Sequence, residues 1–302
     1  IDIRNSSGTM SFGNVSVTGA TGDPGVRLEN NPGVTSFASL DISSTNGTGL
    51  YARGAGTLWI NPNQALADGG DIVAVNGTAV DIENTAVRAY LHSVSSSGAT
   101  VGLRLVTVPG VFSVTGNGIG QMASGGTIQG ATTGIVLQDV GTVGLVSMDL
   151  TSHGVGILAE DVDNLGFSSF RIKNSTTYAV DTLNVRKLVV SYTAFSGSGL
   201  GDVFSEFSEV ATNNYTFFSN YFTTGVGDSV RIDSLAGSTG AVMNLDVRQN
   251  VFDNIHAGGT GLYVDWDGTL AAGIDKSTFH VGGANGFGAR IMNASTTAAT
   301  GG

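Results

Sequence analysis

Cysteine is absent from this 302-residue sequence, and proline and charged side chains are scarce. Without cysteine, the chain can form neither a disulfide framework nor a thiolate metal site. The sequence has 4 prolines and 12% charged residues, whereas soluble domains average about 25% charged residues. So low a charge content fits stacked strands better than a helical enzyme.

Long hydrophobic runs and positive charge are also missing. No run of about 18 apolar residues occurs, so the sequence predicts no membrane-spanning segment. The formal net charge is −11, and no basic stripe is present to neutralise phosphates. We therefore expect neither nucleic acid nor an anionic membrane surface as a partner. The chain starts at Ile1 without a signal peptide, and we expect it to be a segment of something longer.

Glycine and β-branched residues are abundant. The sequence contains 46 glycines and is 41% hydrophobic, which is enough to bury a core. Valine and threonine favour strands, whereas the runs of Ala, Leu, Glu and Lys that build helices are missing. Apolar residues recur at regular spacing throughout, which argues against intrinsic disorder.

A degenerate repeat runs through residues 134–199. Asp139, Asp161 and Asn184 occupy one column of this repeat, at near-equal spacing, and each is followed by a valine. Apolar pairs with a period of two, broken by Gly, Asn and Asp, are typical of strands and turns. A repeat of this length predicts one coil of a β-solenoid.

Two columns extend this register toward the C-terminus. The apolar column comprises Leu150, Ile172, Phe195, Phe222, Phe252 and Phe279. Two positions before the last three stand Asn220, Asn250 and Ser277. We expect the phenylalanines to stack in the interior. We expect the asparagines to form hydrogen bonds along the solenoid axis, where they can satisfy buried backbone groups.

These patterns predict an all-β, single-domain parallel β-helix, or β-solenoid, with coils of about 22–30 residues. The general rule for parallel crossovers makes it right-handed. Residues 1–23 are predicted to be N-terminal strands that could cap the solenoid, and residues 24–292 to be the β-helix. Residues 293–302 are small and polar and are predicted to be a flexible C-terminal tail.

The chain resembles the right-handed parallel β-helix superfamily, with its pectate-lyase-type repeats. The residues that carry the resemblance are the G-I-x-L-x-D and G-I-x-A-x-D units at Gly134–Asp139 and Gly156–Asp161, with the V-x-x-N-x-F pattern ending at Phe252. Within the superfamily it looks most like passenger and stalk segments of large bacterial surface proteins. The resemblance implies an extracellular or cell-surface location. It leaves function open, because this fold hosts both enzymes and passive fibres.

Enzymes of this fold cut acidic polysaccharides with clustered carboxylates, often with calcium and an arginine. Strand alternation predicts that Glu160, Asp181, Asp233 and Asp265 point outward, and Glu206 can join them. Coils stack about 4.8 Å apart, so outward acids on neighbouring coils could approach the separation needed for sugar hydrolysis. The alternative is an ordinary solvated surface.

Two further clusters suggest ligands. The turns at Asp161 and Asp163 and at Asp265 and Asp267 are rich in oxygen and could hold calcium, the one cofactor that the sequence suggests. The alternative is that these residues are turn formers. Tyr263, Asp265 and Asp267 would share one face, which could stack against a sugar if Trp266 packs inward.

One short string echoes a glycosidase motif. His153-Gly154, followed by Arg171-Ile172-Lys173, resembles the HG and RIK motifs of polygalacturonase-like enzymes. Those enzymes also need an Asn-Thr-Asp and an Asp-Asp pair upstream, and neither is present. Without that acid and base the histidine has nothing to assist, so we interpret the match as chance.

The leading hypothesis is a non-catalytic structural or adhesive segment of a surface or fibre protein. Its expected partners are polysaccharide or other surface proteins, and it could form a homo-oligomer or a fibre. The alternative is a polysaccharide lyase or glycoside hydrolase, and a third hypothesis is a phage-type spike that binds glycans. Three or more carboxylates converging in one groove beside Arg or Lys would favour the enzyme.

Overall fold

A computed structural model describes residues 1–64, 69–223, 226–235 and 238–293. Within these ranges the chain forms 27 strands and no helix. The strands of the first half are β1 (Asp2–Arg4), β2 (Met10–Thr21), β3 (Val26–Glu29), β4 (Val34–Thr45), β5 (Leu50–Ile60), β6 (Asp71–Val75), β7 (Val80–Leu91), β8 (Ser93–Ser97), β9 (Val101–Val114), β10 (Thr127–Gln129), β11 (Thr133–Val146), β12 (Asp149–Thr151) and β13 (Val155–Ser168).

The strands of the second half are β14 (Arg171–Lys173), β15 (Tyr178–Leu183), β16 (Lys187–Ser191), β17 (Ala194–Ser196), β18 (Gly201–Phe207), β19 (Thr212–Phe218), β20 (Tyr221–Thr223), β21 (Val230–Ser234), β22 (Val242–Arg248), β23 (Val251–Ile255), β24 (Thr260–Trp266), β25 (Thr269–Asp275), β26 (Thr278–Val281) and β27 (Phe287–Asn293).

Every strand pairs in parallel with a strand one coil away, so the chain winds into a right-handed β-solenoid of about 11 turns. The solenoid has three faces. Face A comprises β1, β3, β15, β18, β21, β24, β27 and the first halves of β5, β7, β9, β11 and β13. Faces B and C follow face A in each turn. We number the coils 1 to 12 by their strand on face A, so β15 begins coil 8 and β27 begins coil 12.

The predicted fold class is confirmed, and coil length varies through the loops. Ile135 pairs with Ile157 across one of the shorter coils, whereas Val230 pairs with Leu262 across one of the longer ones. The longest coils therefore exceed the range that the repeat predicts. The described strands of each coil pair only with strands of the neighbouring coils, so loops can lengthen at a corner without disturbing the stacked strands.

Asp139, Asp161 and Asn184, which form one column of the repeat, share an unusual backbone conformation. All three residues are left-handed, with φ of 53°, 53° and 55°. They lie at the corner where the chain leaves face A for face B. Asp and Asn tolerate this conformation better than most side chains, which explains why the repeat carries them there.

The phenylalanines of the apolar column are confirmed as a stack of rings in the interior. Phe195 and Phe222 stack with ring centroids 4.8 Å apart, Phe222 and Phe252 at 4.8 Å, and Phe252 and Phe279 at 4.6 Å. Phe195, Phe222 and Phe252 are fully buried. The spacing matches the distance between neighbouring strands, so each coil adds one ring directly above the last.

The predicted asparagine ladder is confirmed beside these rings. Asn220 donates from Nδ2 to Oδ1 of Asn250 at 3.0 Å, and the backbone N–H of Asn220 donates to the same oxygen at 3.0 Å. The N–H of Asn250 donates to Oγ of Ser277 at 3.2 Å. Both asparagines are buried. Their amides therefore satisfy backbone groups that water cannot reach.

The predicted N-terminal region and tail flank this core. β1 and β2 pair in parallel with β3 and β4, so residues 2–21 build the first coil of the solenoid. Asn293 is the last residue of β27, and residues 294–302 lie outside the described residues. None of the described residues form a helix that could cross a membrane.

Candidate ligand-binding face

Face A of coils 8 to 11 brings together most of the acids that strand alternation directs outward. Glu206, Asp233 and Asp265 are in register on three consecutive coils. Asp181 lies on coil 8, in the neighbouring outward row. Glu160 is set apart from Glu206, because Leu183 stands between them in the same row. Neighbouring strands are about 4.8 Å apart, so four of the five carboxylates share one surface.

The environment of two of these acids favours their neutral form. Burial, together with the nearby charge of Glu206, raises the pKa of the Asp181 carboxyl. Burial also raises the pKa of Asp233, against the opposing effect of its hydrogen bond with Arg231. The Oδ1 atom of Asp233 is buried and has no hydrogen-bond partner within the described part of the chain. Raised carboxyl pKa values of this kind occur at catalytic sites and at structural clusters alike.

Arg231 is the central cation of this face. Its Nε donates to Oδ2 of Asp233 at 2.7 Å, and its Nη1 lies 3.9 Å from Oδ2 of Asp228. The guanidinium carbon lies 4.9 Å from the ring centroid of Tyr263 and 5.9 Å from that of Phe204. These distances are within the range of cation–π attraction. Arg231 therefore joins coils 9, 10 and 11.

Both ring faces of Tyr263 are occupied. Arg231 lies on the coil before it, and Arg290 lies on the coil after it, 5.8 Å from the ring centroid. Tyr178 extends the same arrangement, with its ring stacked on Phe204 at 4.8 Å. We call Tyr178, Phe204, Arg231, Tyr263 and Arg290 the C-terminal ladder. A sugar could reach the edge of Tyr263 but not its face.

Tyr263, Asp265 and Asp267, which the sequence groups on one face, divide between strand and turn. Asp265 lies in the acidic row next to Asp233. Asp267 follows the end of β24, and its N–H donates to Oγ of Ser234 at 2.6 Å. Trp266 is fully buried, as expected, with its ring 5.2 Å from that of Phe207.

A cleft opens where the C-terminal ladder meets the corner between faces C and A. It has a volume of about 290 Å³. We call it the Tyr178 cleft, and its walls include Tyr178, Leu200, Val226, Asp228, Arg231 and Gly258. Asp228 links the cleft wall to the start of β24, because its Oδ1 accepts a hydrogen bond from the N–H of Thr260 at 2.8 Å.

A second ladder lies on face A in coils 2 to 5, far along the axis from the cleft. The guanidinium carbons of Arg27 and Arg53 lie 5.7 Å and 5.5 Å from the ring centroid of Tyr51. Arg53 pairs with Glu83 at 2.9 Å, and Arg104 pairs with the same carboxylate at 2.9 Å. We call these five residues the N-terminal ladder. Here each arginine has a ring or an acid on a neighbouring coil.

At Asp161 and Asp163, the first of the two predicted calcium sites, the aspartates interact with side chains of the next coil. Oδ1 of Asp161 accepts a hydrogen bond from Nδ2 of Asn184 at 3.0 Å. Asp163 is exposed and lies 3.9 Å from Arg186. Across the described residues, no three His, Cys, Asp or Glu side chains converge as metal ligands would. Calcium at Asp161 and Asp163, or at Asp265 and Asp267, stays a prediction.

His153 is a core residue. Its side chain is 1% exposed, with Nδ1 3.2 Å from the carbonyl of Ala131 and Nε2 3.0 Å from that of Ile128. Burial lowers its pKa. Arg171, from the same apparent motif, pairs with Asp149 on face C. His153 thus has no access to a substrate, in agreement with a chance match.

Three functional candidates do not stand out in the sequence: Arg231 and Asp228, which organise this face, and Asp202, which is fully buried on β18. Ser198 donates to Oδ1 of Asp202 at 2.8 Å, and Oδ2 of Asp202 has no hydrogen-bond partner among the described residues. The sequence does contain a signal that could have identified Asp202, because small residues occupy its position in the repeat on earlier coils. The two preceding coils carry Gly156 and Ala179 at the inward position that Asp202 occupies.

Comparison of the chain with protein-family models, with curated proteins and with solved structures gave no match.

Proposed function

We propose that this chain is a non-catalytic structural and adhesive β-helix segment of an extracellular surface or fibre protein. The observation that carries the proposal is the set of ladders that link successive coils, with phenylalanine and asparagine inside and arginine and aromatic rings outside. Such contacts repeat along the axis and resist bending and sliding of the coils. The resemblance to passenger and stalk segments of bacterial surface proteins points the same way.

The chemistry of face A supports presentation rather than catalysis. Arg231 is held by Asp233 and by two rings, which leaves it poorly placed to act as a mobile base. His153 is buried. The test is to incubate the purified chain with polyuronates and neutral polysaccharides. Neither chain cleavage nor unsaturated products should form, and either product would contradict the proposal.

A carbohydrate-active lyase or hydrolase is the second candidate, and a specific observation favours it. Asp181, Glu206, Asp233 and Asp265 lie on neighbouring strands beside Arg231, and two of them have raised pKa values. If these acids are catalytic, changing Asp233 and Asp265 to Asn should abolish a measured cleavage activity, whereas changing Asp246, a partly exposed acid on face B, should not.

The phage-type spike stays a third proposal, distinguished by assembly. Light scattering of the purified chain would give a trimer for a spike. A monomer, or filaments of variable length, would fit the surface or fibre segment instead.

A further inference from the structure

We infer that the Tyr178 cleft binds one unit of an uncharged sugar chain. This inference rests on the proposed adhesive function, and it names the ligand class that the cleft would take. Small-molecule sites combine apolar walls with a few polar groups that fix orientation. The cleft, at about 290 Å³, has room for a single ring-sized group rather than for a folded peptide.

The cleft presents hydrogen-bonding groups that the fold itself leaves unused. Among the described residues, the Tyr178 hydroxyl has no hydrogen-bond partner, and Arg231 makes its side-chain hydrogen bond through Nε alone. The 3.9 Å between Nη1 of Arg231 and Oδ2 of Asp228 is too long for a hydrogen bond. A donor, an acceptor and a hydroxyl therefore face one space, a combination that suits the hydroxyl groups of a sugar.

The remaining walls are apolar or bare backbone. Leu200 is 52% exposed and Val226 is 60% exposed, so both present carbon surface to solvent. Gly258 has a φ of 79°, and a Cβ placed there would meet no atom within 4 Å. A ligand can thus approach the backbone closely. The C–H face of a sugar ring would cover the apolar wall while its hydroxyls meet the polar side.

The charged side chains near the cleft determine which class of sugar can bind there. Burial raises the pKa of the Tyr178 hydroxyl, and the charges of Asp181, Glu206 and Asp228 add to the rise while Arg231 opposes it. Carboxylates therefore outnumber the cation near the cleft. A uronate or a phosphate would be repelled by these acids. A cationic amino sugar would have to lie against the guanidinium of Arg231, which lines the cleft itself, whereas Asp181 and Glu206 do not. An uncharged, hydroxyl-rich unit meets neither penalty, and carboxylates accept hydrogen bonds from its hydroxyls.

The test is isothermal titration of the purified chain with hexasaccharides of glucan, galactan and mannan, and with hexagalacturonate as the acidic probe. At least one neutral hexasaccharide should bind saturably, and hexagalacturonate should bind more weakly. Tyr178→Phe removes only the hydroxyl and should weaken binding severalfold. Arg231→Gln should weaken it about tenfold or more.

The matched control is Arg53→Gln, because Arg53 also has a tyrosine ring and an acid beside it, in the N-terminal ladder, but does not line the Tyr178 cleft. Its binding should equal that of the parent chain, with melting curves confirming that all variants are folded. The inference is overturned if no neutral hexasaccharide binds, if hexagalacturonate binds best, or if Arg53→Gln weakens binding as much as Arg231→Gln. Cleavage of a hexasaccharide would instead contradict the non-catalytic function.

Discussion

Coils 9 to 11 carry one ladder inside and another on their surface, and the two ladders differ in their access to water. Inside, Phe222 and Phe252 are fully buried and stack at 4.8 Å. Outside, Arg231 and Tyr263 make a similar coil-to-coil contact, but the arginine side chain is 44% exposed. Exposure weakens charge interactions through solvent screening. The inner ladder therefore holds the fold, while the outer ladder can change without unfolding it.

The largest effect should come from breaking the inner ladder. Phe222→Ala removes a ring between Phe195 and Phe252 and leaves a cavity that the stacked coils cannot close. We expect a loss of about 3–5 kcal/mol in the free energy of unfolding, measured by urea denaturation. Phe204→Ala, on the outer ladder, is the control and should cost clearly less. Equal losses would contradict the distinction between the two ladders.

Asp202 should make the interior sensitive to pH. Burial raises the pKa of its carboxyl from 3.8 to about 7, and only Ser198 opposes the shift. The native state therefore holds a proton that the unfolded chain releases near pH 4. Stability should fall as the pH rises from about 4 to about 7 and then level off. The effect is large, because a buried unpaired charge costs several kcal/mol.

Thermal melting across this pH range checks the effect. Asp202→Asn keeps the shape of the side chain and removes its charge, so the variant should lose the fall between pH 4 and pH 7 and be the more stable protein at pH 8. A parent and a variant with the same pH profile would show that Asp202 is not held neutral.

The asparagine ladder should give an intermediate effect. Asn250→Ala removes the Oδ1 that accepts both Nδ2 and the backbone N–H of Asn220. Leaving buried donors unsatisfied should cost about 1–3 kcal/mol in urea denaturation. Asn244→Ala is matched to it, because Asn244 also bonds the Asn one coil before it, Asn214, but at an exposed position. Its cost should be close to zero, and a cost equal to that of Asn250→Ala would argue against burial as the cause.

The smallest effects should come from the outer ladders. Arg231→Gln removes two ion pairs and two cation–π contacts, whereas Arg53→Gln removes one of each. Both arginine side chains are nearly half exposed to solvent. We expect each to cost about 0–1 kcal/mol, and less at high salt because screening weakens the pairs. A loss in either variant as large as that of Phe222→Ala would mean that the surface ladders also hold the fold.

The repeat predicted the stacked phenylalanines and asparagines correctly, because inward positions recur in a fixed register within each strand. It predicted the surface less well. Tyr263 meets Arg231 on the coil before it and Arg290 on the coil after it, and these two coils differ in length. The sequence separations depend on loops of unequal length, so counting along the chain cannot identify the partners. Asp202 was missed for a different reason. One acid at an inward position does not alter the periodicity of a strand, and it stands out only against Gly156 and Ala179 at the same position of the preceding coils.

The sequence by itself determined the all-β solenoid, its coil length near Asp139, Asp161 and Asn184, and the residues of its inner ladders. Those features depend on local properties: alternation along a strand, and the tolerance of Asp and Asn for a left-handed backbone. The tertiary structure alone decided that Tyr178, Asp228 and Arg231 line one cleft and that both faces of Tyr263 are covered. Contacts between coils depend on how loops bring strands into register, and only the folded chain sets that register.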